Sequence, residues 1–247
     1  MTASVAQIWR HPIKSHGREQ LTSVTLAPGT TLPGDRAWAM AHDRSKADGS
    51  EWVVCGNFTT VTKTIALQAM TARTEADGSL SLAHPDLGEL HFDPKTQADR
   101  LIDWTAPLIP ADRPASVRLI KLADRGFTDT DFPSVSLLNL ASHRAVEGFT
   151  GPISPLRWRG NFLLDGLGPW EEFEWVGRKL RLGEAELEIR ERIIRCNATR
   201  VDPATGRRDA DTLAALKQNW GHQDFGVYAF ITRGGLVREG DQLEIIQ

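Results

Sequence analysis

The residue with the clearest chemical promise is Cys196, in the run Arg190-Glu-Arg-Ile-Ile-Arg-Cys-Asn-Ala-Thr-Arg-Val-Asp-Pro-Ala-Thr-Gly206. It follows a predicted strand and precedes a turn signal, Asp202-Pro203-Ala204-Thr205-Gly206. Arg195 is its neighbour, and Arg192 and Arg200 are close in sequence. Positive charge beside a thiol favours the thiolate, the form that attacks electrophiles and binds soft metals. Cysteine in such a run can also be a small buried apolar residue, but a strand end among arginines favours chemistry. Cys55, in Trp52-Val53-Val54-Cys55-Gly56-Asn57, follows an apolar run without a cationic neighbour and is expected to pack in the core.

Three further stretches pair a cation with residues that expose the backbone. His11-Pro12-Ile13-Lys14-Ser15 ends a first strand, and its lysine and serine could meet a phosphate. Gly34-Asp35-Arg36-Ala37-Trp38 sets an arginine behind a Gly-Asp turn, and Arg157-Trp158-Arg159-Gly160-Asn161 does the same before the strand Phe162-Leu163-Leu164. Taken singly, each is an ordinary turn or surface ion pair. Converging, their guanidinium forks would build an anion site. The seven histidines show no metal-ligand spacing, and GxSxG, GxxxxGK[ST] and a strand-associated GxGxxG are missing. Zinc, hydrolase, P-loop and Rossmann chemistries therefore lack their starting evidence.

The elements that must position these residues are mostly short alternating strands punctuated by Gly, Pro and Asp. Leu180, Leu182, Leu187 and Ile189 alternate with charged residues on either side of Gly183-Glu184, a hairpin signal. Gly78-Ser79 precedes the strand Leu80-Ser81-Leu82, and Gly240-Asp241 reads as a tight turn between two C-terminal strands. Helices are expected at Thr212 to Gln218 behind Asp209 or Asp211 as cap, at Ser136 to Glu147, and in 97–109. The best seam lies in the polar stretch 111–130.

The chain has 247 residues, 40% apolar and 25% charged, an ordinary globular composition with room for a substantial core. A net charge of −3 gives no reason to expect nucleic acid or a membrane surface as partner. Ten arginines nevertheless crowd the stretch from Arg157 to Arg208, either a solvated face or part of an anion pocket. The opening MTASVAQIWRHPIKS has neither a basic n-region nor an apolar h-region, so no secretion signal is expected. Two cysteines make no disulfide framework and cannot hold a four-cysteine iron–sulfur cluster; a reducing, cytoplasmic compartment is expected.

In order along the chain, HPIKS, GDRAW, DFPSVSLLN, RWRGN, DGLGPWEEFEWVG, RCNATRVDPATG, FGVYAF and VREGDQLEI resemble the MOSC family, named for the C-terminal domain of molybdenum cofactor sulfurase. The family includes amidoxime-reducing components and bacterial reductases of N-hydroxylated bases. The resemblance covers nearly the whole chain. It implies an α+β, β-rich fold: a MOSC β-barrel core with surrounding helices in 121–247, and an N-terminal MOSC β-barrel/α-β subdomain in 1–120. It implies molybdenum cofactor in a cleft between them, with Cys196 as metal ligand and catalytic centre. Lys14, Ser15, Arg36, Arg159, Asn161 and Arg195 would hold pterin and phosphate, and Pro133 and Ser134 belong to a loop that lines the site.

The resemblance further implies an oxidoreductase that reduces small N-hydroxylated or N-oxide substrates. No flavin, haem or iron–sulfur motif is visible, so electrons would come from an external ferredoxin- or flavoprotein-type reductase. The alternative is a cofactor carrier or sulfur relay with a persulfide on Cys196. The chain departs from the family at three places. Cys55 to Val61 stands where a Thr-x-Arg-x-x-Pro-like segment is common, which touches the substrate-facing wall. His16-Gly17 replaces Cys-x-Gly, and Ile194 replaces a serine two residues before the metal cysteine.

Overall fold

The computed structural model describes residues 3–246. Its strands are β1 (Ser4–Arg10), β2 (Glu19–Leu21), β3 (Ser23–Leu26), β4 (Trp38–His42), β5 (Thr71–Thr74), β6 (Leu80–His84), β7 (Gly88–Phe92), β8 (Ser116–Lys121), β9 (Val135–Asn139), β10 (Phe162–Asp165), β11 (Lys179–Leu182), β12 (Ala185–Ile194), β13 (Asp224–Arg233), β14 (Gly235–Arg238) and β15 (Leu243–Ile245). The α-helices are α1 (Ala98–Thr105), α2 (Leu140–Thr150) and α3 (Thr212–Trp220). The fold is β-rich α+β. No helix among the described residues is long and apolar enough to cross a membrane.

Eight strands form one sheet in the order β15-β11-β12-β13-β9-β10-β1-β2, antiparallel except for the β9–β10 pair. Along β12, Ala185, Leu187 and Ile189 face inward while Glu186, Glu188 and Arg190 face outward, the period of two that a half-buried strand requires. The β11–β12 hairpin turns at Gly183, whose φ of 57° places it in the left-handed region. A Cβ there would meet the Asp241 carboxylate at 2.4 Å, so only glycine fits. The sheet curls until its ends meet: Ser4 bridges Gln242, Val5 N donates to Asp241 O, and Leu243 N donates to Ala3 O, each at 2.9 Å for the latter two. Val5, Ile8, Leu137, Phe162, Leu187 and Ile231 fill the interior of this curl.

A second core lies under β4 and β8 and the β5-β6-β7 meander, where Ile13, Met40, Leu82, Phe92 and Leu101 pack together. Val201, five residues after Cys196, is fully buried in that same core. A third cluster joins Ile193 of β12, Val146 of α2 and Leu216 of α3 to Trp158 and Phe225, whose rings stack at 3.8 Å and 9°. Cys196 thus sits on a backbone anchored on both sides, by Ile193 before it and Val201 after it.

Several expectations need correction. The helix expected from Ser136 begins only at Leu140; residues 135–139 are strand β9 in the middle of the sheet. All five are buried, as a strand covered on both faces demands, and a run such as Val-Ser-Leu-Leu-Asn, without alternation, cannot be told from a buried helix by periodicity. Asn139 ends the strand and caps α2, its side chain accepting from Ala141 N at 2.8 Å. The helix expected in 97–109 is α1, followed by a 3₁₀ turn over Ala106–Leu108. Gly240-Asp241 makes a turn but no hairpin, because β14 pairs with β3 and β15 with β11. For α3 the cap is Asp211, which accepts from Ala214 N at 3.1 Å; Asp209 instead forms an ion pair with Arg157.

Candidate functional site

Among the described residues four non-glycine residues have positive φ: Ser15 (67°), Arg36 (49°), Arg159 (52°) and Trp170 (66°). The first three line one cavity of about 490 Å³, within the usual size of a small-molecule site. Side chains with a Cβ enter this backbone region at a cost, and such residues persist where the surroundings force them. Each of the three ends a short turn: after β1, before β4, and after the 3₁₀ turn Pro155–Trp158.

Asp35 organises the first two turns. It is buried and accepts from His11 N at 2.8 Å, from His11 Nδ1 at 3.3 Å, and from Arg36 Nη1. Burial favours its neutral acid, yet Arg36 and His11 outweigh that and hold the carboxyl well below the usual range. His11 is pushed down to about 3 by burial, with Arg159 and Arg36 adding repulsion, so it is neutral. Burial would lower the Arg36 guanidinium, but Asp35 and Asp129 hold it above its ordinary value. Lys14 Nζ donates to Phe127 O at 2.7 Å and to Asp129 Oδ1 at 2.5 Å. Asp129, about half of whose side chain is open to the cavity, is kept below the usual carboxylate range; the penalty of its enclosed position is overcome by Lys14 and Arg36.

Arg159 is the least compensated charge. Its Nη2 donates to Gly17 O at 3.3 Å, while its Nη1 is buried with no hydrogen-bond partner. Burial, then repulsion from Arg36 and Arg18, push it down to about 9, still a cation at neutral pH. A buried guanidinium nitrogen without an acceptor beside a second guanidinium is an arrangement that an anion would complete.

Arg195 plays a different part. Its Nε and Nη2 donate to Phe225 O at 2.8 and 2.6 Å, and its Nη1 to Trp158 O at 2.8 Å. Burial lowers it to about 10, against the attraction of Tyr228, Cys196 and Asp129. The fork therefore ties the end of β12 to β13 and to the Arg159 turn. Asn161 is likewise spent on structure: its Oδ1 accepts from Ser136 N and Oγ, and its Nδ2 donates to Trp9 O. Arg157, fully buried, grips Asp209 with two nitrogens and Thr199 O with one, fixing the turn that follows Cys196.

Cys196 lies two residues beyond the end of β12, is exposed, and opens the 3₁₀ turn Asn197–Arg200. Its Sγ lies 3.5 Å from Thr62 Oγ1, which reaches it from the N-terminal part. Of the site residues expected from sequence, Lys14, Ser15, Arg36, Ser134, Arg159, Asn161, Arg195 and Cys196 all line the one cavity. Pro133 does not; its neighbour Ser134 accepts from Thr130 Oγ1 at 2.8 Å.

Cys55 is a correction. It is exposed and lines the same cavity, because the apolar run before it forms no strand and ends in the 3₁₀ turn Cys55–Asn57 at the surface. Sequence reasoning also passed over Asp129, Thr62 and Tyr228. Tyr228 is the only tyrosine, and burial and the nearby Asp129 raise its phenol, so it stays protonated in the cavity wall. Its place in FGVYAF, at alternating register with buried Val227 and Ala229, was the one available signal.

In sequence the chain matches the MOSC N-terminal beta barrel domain over residues 2–107 and the MOSC domain over residues 126–244. It is 27% identical over 140 residues to a molybdenum cofactor sulfurase of Drosophila grimshawi and 33% identical over 84 residues to one of Anopheles gambiae. These alignments cover 53% and 34% of this chain but 18% and 11% of the sulfurases, so the chain spans only a small part of the length of those relatives. Among solved structures it resembles the YUAD protein of Bacillus subtilis, with TM-score 0.47 and 13% identity over 99% of this chain and 96% of that one. YiiM of Geobacillus stearothermophilus aligns at TM-score 0.37 and 19% identity, over 46% of this chain and 54% of that one. With both family models matched in order, and with the β-rich fold they describe, the chain belongs to the MOSC domain family.

Proposed function

We propose that this protein binds a molybdenum cofactor with Cys196 as the protein ligand and reduces small N-hydroxylated or N-oxide substrates with electrons from a separate reductase. The observation that carries the reading is Arg159. Its partnerless buried nitrogen, next to Arg36 and in the wall of the cavity that Cys196 lines, fits the phosphate of a pterin cofactor. Lys14 and Ser15 stand on the same wall, and a soft thiolate suits a molybdenum centre. When bound, the cofactor supplies a two-electron redox centre; the chain holds and orients it. Arg36 and Arg159 face its anionic groups, Arg195 keeps the Cys196 strand end in place, and the Tyr228 hydroxyl is a hydrogen-bond donor available to a substrate oxygen. The electron donor is a ferredoxin- or flavoprotein-type partner, and the compartment is the cytoplasm.

The exposure of Cys196 also favours a second reading, a carrier or sulfur relay whose thiol must be reached by another protein. Expression in a host that makes molybdenum cofactor separates the two. The reductase reading expects near-stoichiometric molybdenum and pterin, both lost in Cys196→Ser, with turnover of N-hydroxylated substrates. Folded protein without molybdenum or pterin from a competent host would overturn it in favour of transient handling.

A further inference from the structure

The cavity carries features the cofactor reading leaves unused. Six large apolar side chains are exposed among the described residues, and two of them, Val54 (60% exposed) and Ile194 (77% exposed), line this cavity. They come from distant parts of the chain, Val54 from the start of the 3₁₀ turn Cys55–Asn57 and Ile194 from the end of β12, two residues before Cys196. Exposed apolar side chains are unremarkable singly; two lining the same cavity suit an apolar ligand.

Lys63 lines the same cavity and is exposed. Among the described residues its ammonium has no ion pair and no hydrogen bond, whereas Lys14, Arg36, Arg157 and Arg195 are all committed to protein acceptors. The turn that carries it is rigid: Lys63 N and Thr64 N both donate to Thr60 O, at 3.0 and 2.8 Å. The preceding residue on that turn, Thr62, is the one that touches Cys196 Sγ. A cation without a partner among the described residues therefore stands one residue along the chain from the contact to the sulfur, and two exposed apolar side chains line the same cavity.

We propose that Val54, Ile194 and Lys63 form the substrate-recognition rim, and that it takes a small molecule with an apolar, ring-sized body and a carboxylate end. The body lies against Val54 and Ile194, and the carboxylate meets Lys63. This rests on the reductase reading for the reaction that follows, but the recognition itself is read by binding.

The test compares N-hydroxybenzamidine with its 4-carboxylate, using the cofactor-loaded protein and reduced methyl viologen as electron donor. The carboxylate is expected to have the lower KM by about fivefold, the upper end of what an exposed ion pair contributes. Lys63→Gln brings the ratio of the two KM values to about one, and Lys63→Glu inverts it. The wild-type preference weakens as salt rises, because the pair is at the surface. A second readout needs no turnover. Cys55 neighbours Val54 on this wall, and its alkylation by N-ethylmaleimide, followed by peptide mass mapping, is slowed by the 4-carboxylate in wild type and not in Lys63→Gln. Equal KM values in wild type would overturn the proposal, as would loss of molybdenum in Lys63→Gln, which would assign the lysine to the cofactor. If fully loaded protein turns over neither substrate, the reductase reading fails, and protection of Cys55 alone then decides for or against the rim.

Discussion

Arg36 donates from Nη2 to the main-chain carbonyl of Arg159 at 2.9 Å, joining two left-handed turns that lie 123 residues apart in the chain. One guanidinium is thus used to hold the turn that presents a second, and the two charges face each other. Only Arg36 has a carboxylate in contact, Asp35.

Arg159→Gln should therefore separate stability from binding. Removing the under-compensated cation relieves repulsion with Arg36 and Arg18. The cofactor-free protein is expected to keep its thermal midpoint or gain up to about 1 kcal/mol, while molybdenum and pterin content falls about tenfold or more. Normal cofactor content in a strongly destabilised Arg159→Gln protein would mean the side chain is a structural tether and nothing else.

Arg195→Lys is expected to do the reverse. The fork makes bonds to two carbonyls, Phe225 O and Trp158 O, which a single ammonium cannot reproduce. Leaving one of these enclosed acceptors unsatisfied costs roughly 1–3 kcal/mol. The urea midpoint should drop accordingly, and the freed strand end should raise the rate of Cys196 alkylation. An unchanged midpoint would contradict the role given to the fork.

Acid should loosen the site through two buried histidines. His11 is pushed down to about 3 and His16 to about 4, in both cases chiefly by burial. Each is neutral when folded and protonates at its ordinary value near 6.5 when unfolded, so the unfolded chain binds more protons as pH falls. Stability is full above about pH 6.5 and declines as pH falls toward 4, by roughly 2 kcal/mol per histidine between pH 7 and pH 5. Urea titrations at the two pH values measure the slope, and His16→Gln should make it shallower by one histidine's share. A pH-independent midpoint in wild type would show that burial of these rings imposes no such linkage.

Local patterns made part of the architecture legible. The alternation around Gly183-Glu184 gives the β11–β12 hairpin, and Asp209 or Asp211 before a run of helix formers gives a capped α3, with the structure deciding for Asp211. Both depend on residues a few positions apart, where backbone geometry alone sets the period. Residues 135–139 were not legible as strand, because whether a short, mostly apolar run becomes strand or helix is decided by the neighbours that cover it. Nor did Gly240-Asp241 disclose that its flanking strands join different sheets, since pairing partners lie far away in sequence.

The candidate site divides along the same line. Residue types and order alone determined which groups could do chemistry: a cysteine at a strand end, a lysine-serine pair, and arginines set in turns. That Ser15, Arg36 and Arg159 adopt left-handed backbone, that Arg159 keeps a nitrogen without an acceptor, and that Cys55 faces the cavity were decided only by tertiary structure. The reason is physical. Chain-local preferences act over a turn or two, whereas the cavity exists because β1 adds to β10 in the curled sheet and because Val201 is buried among N-terminal side chains, bringing the two ends of the sequence onto one wall.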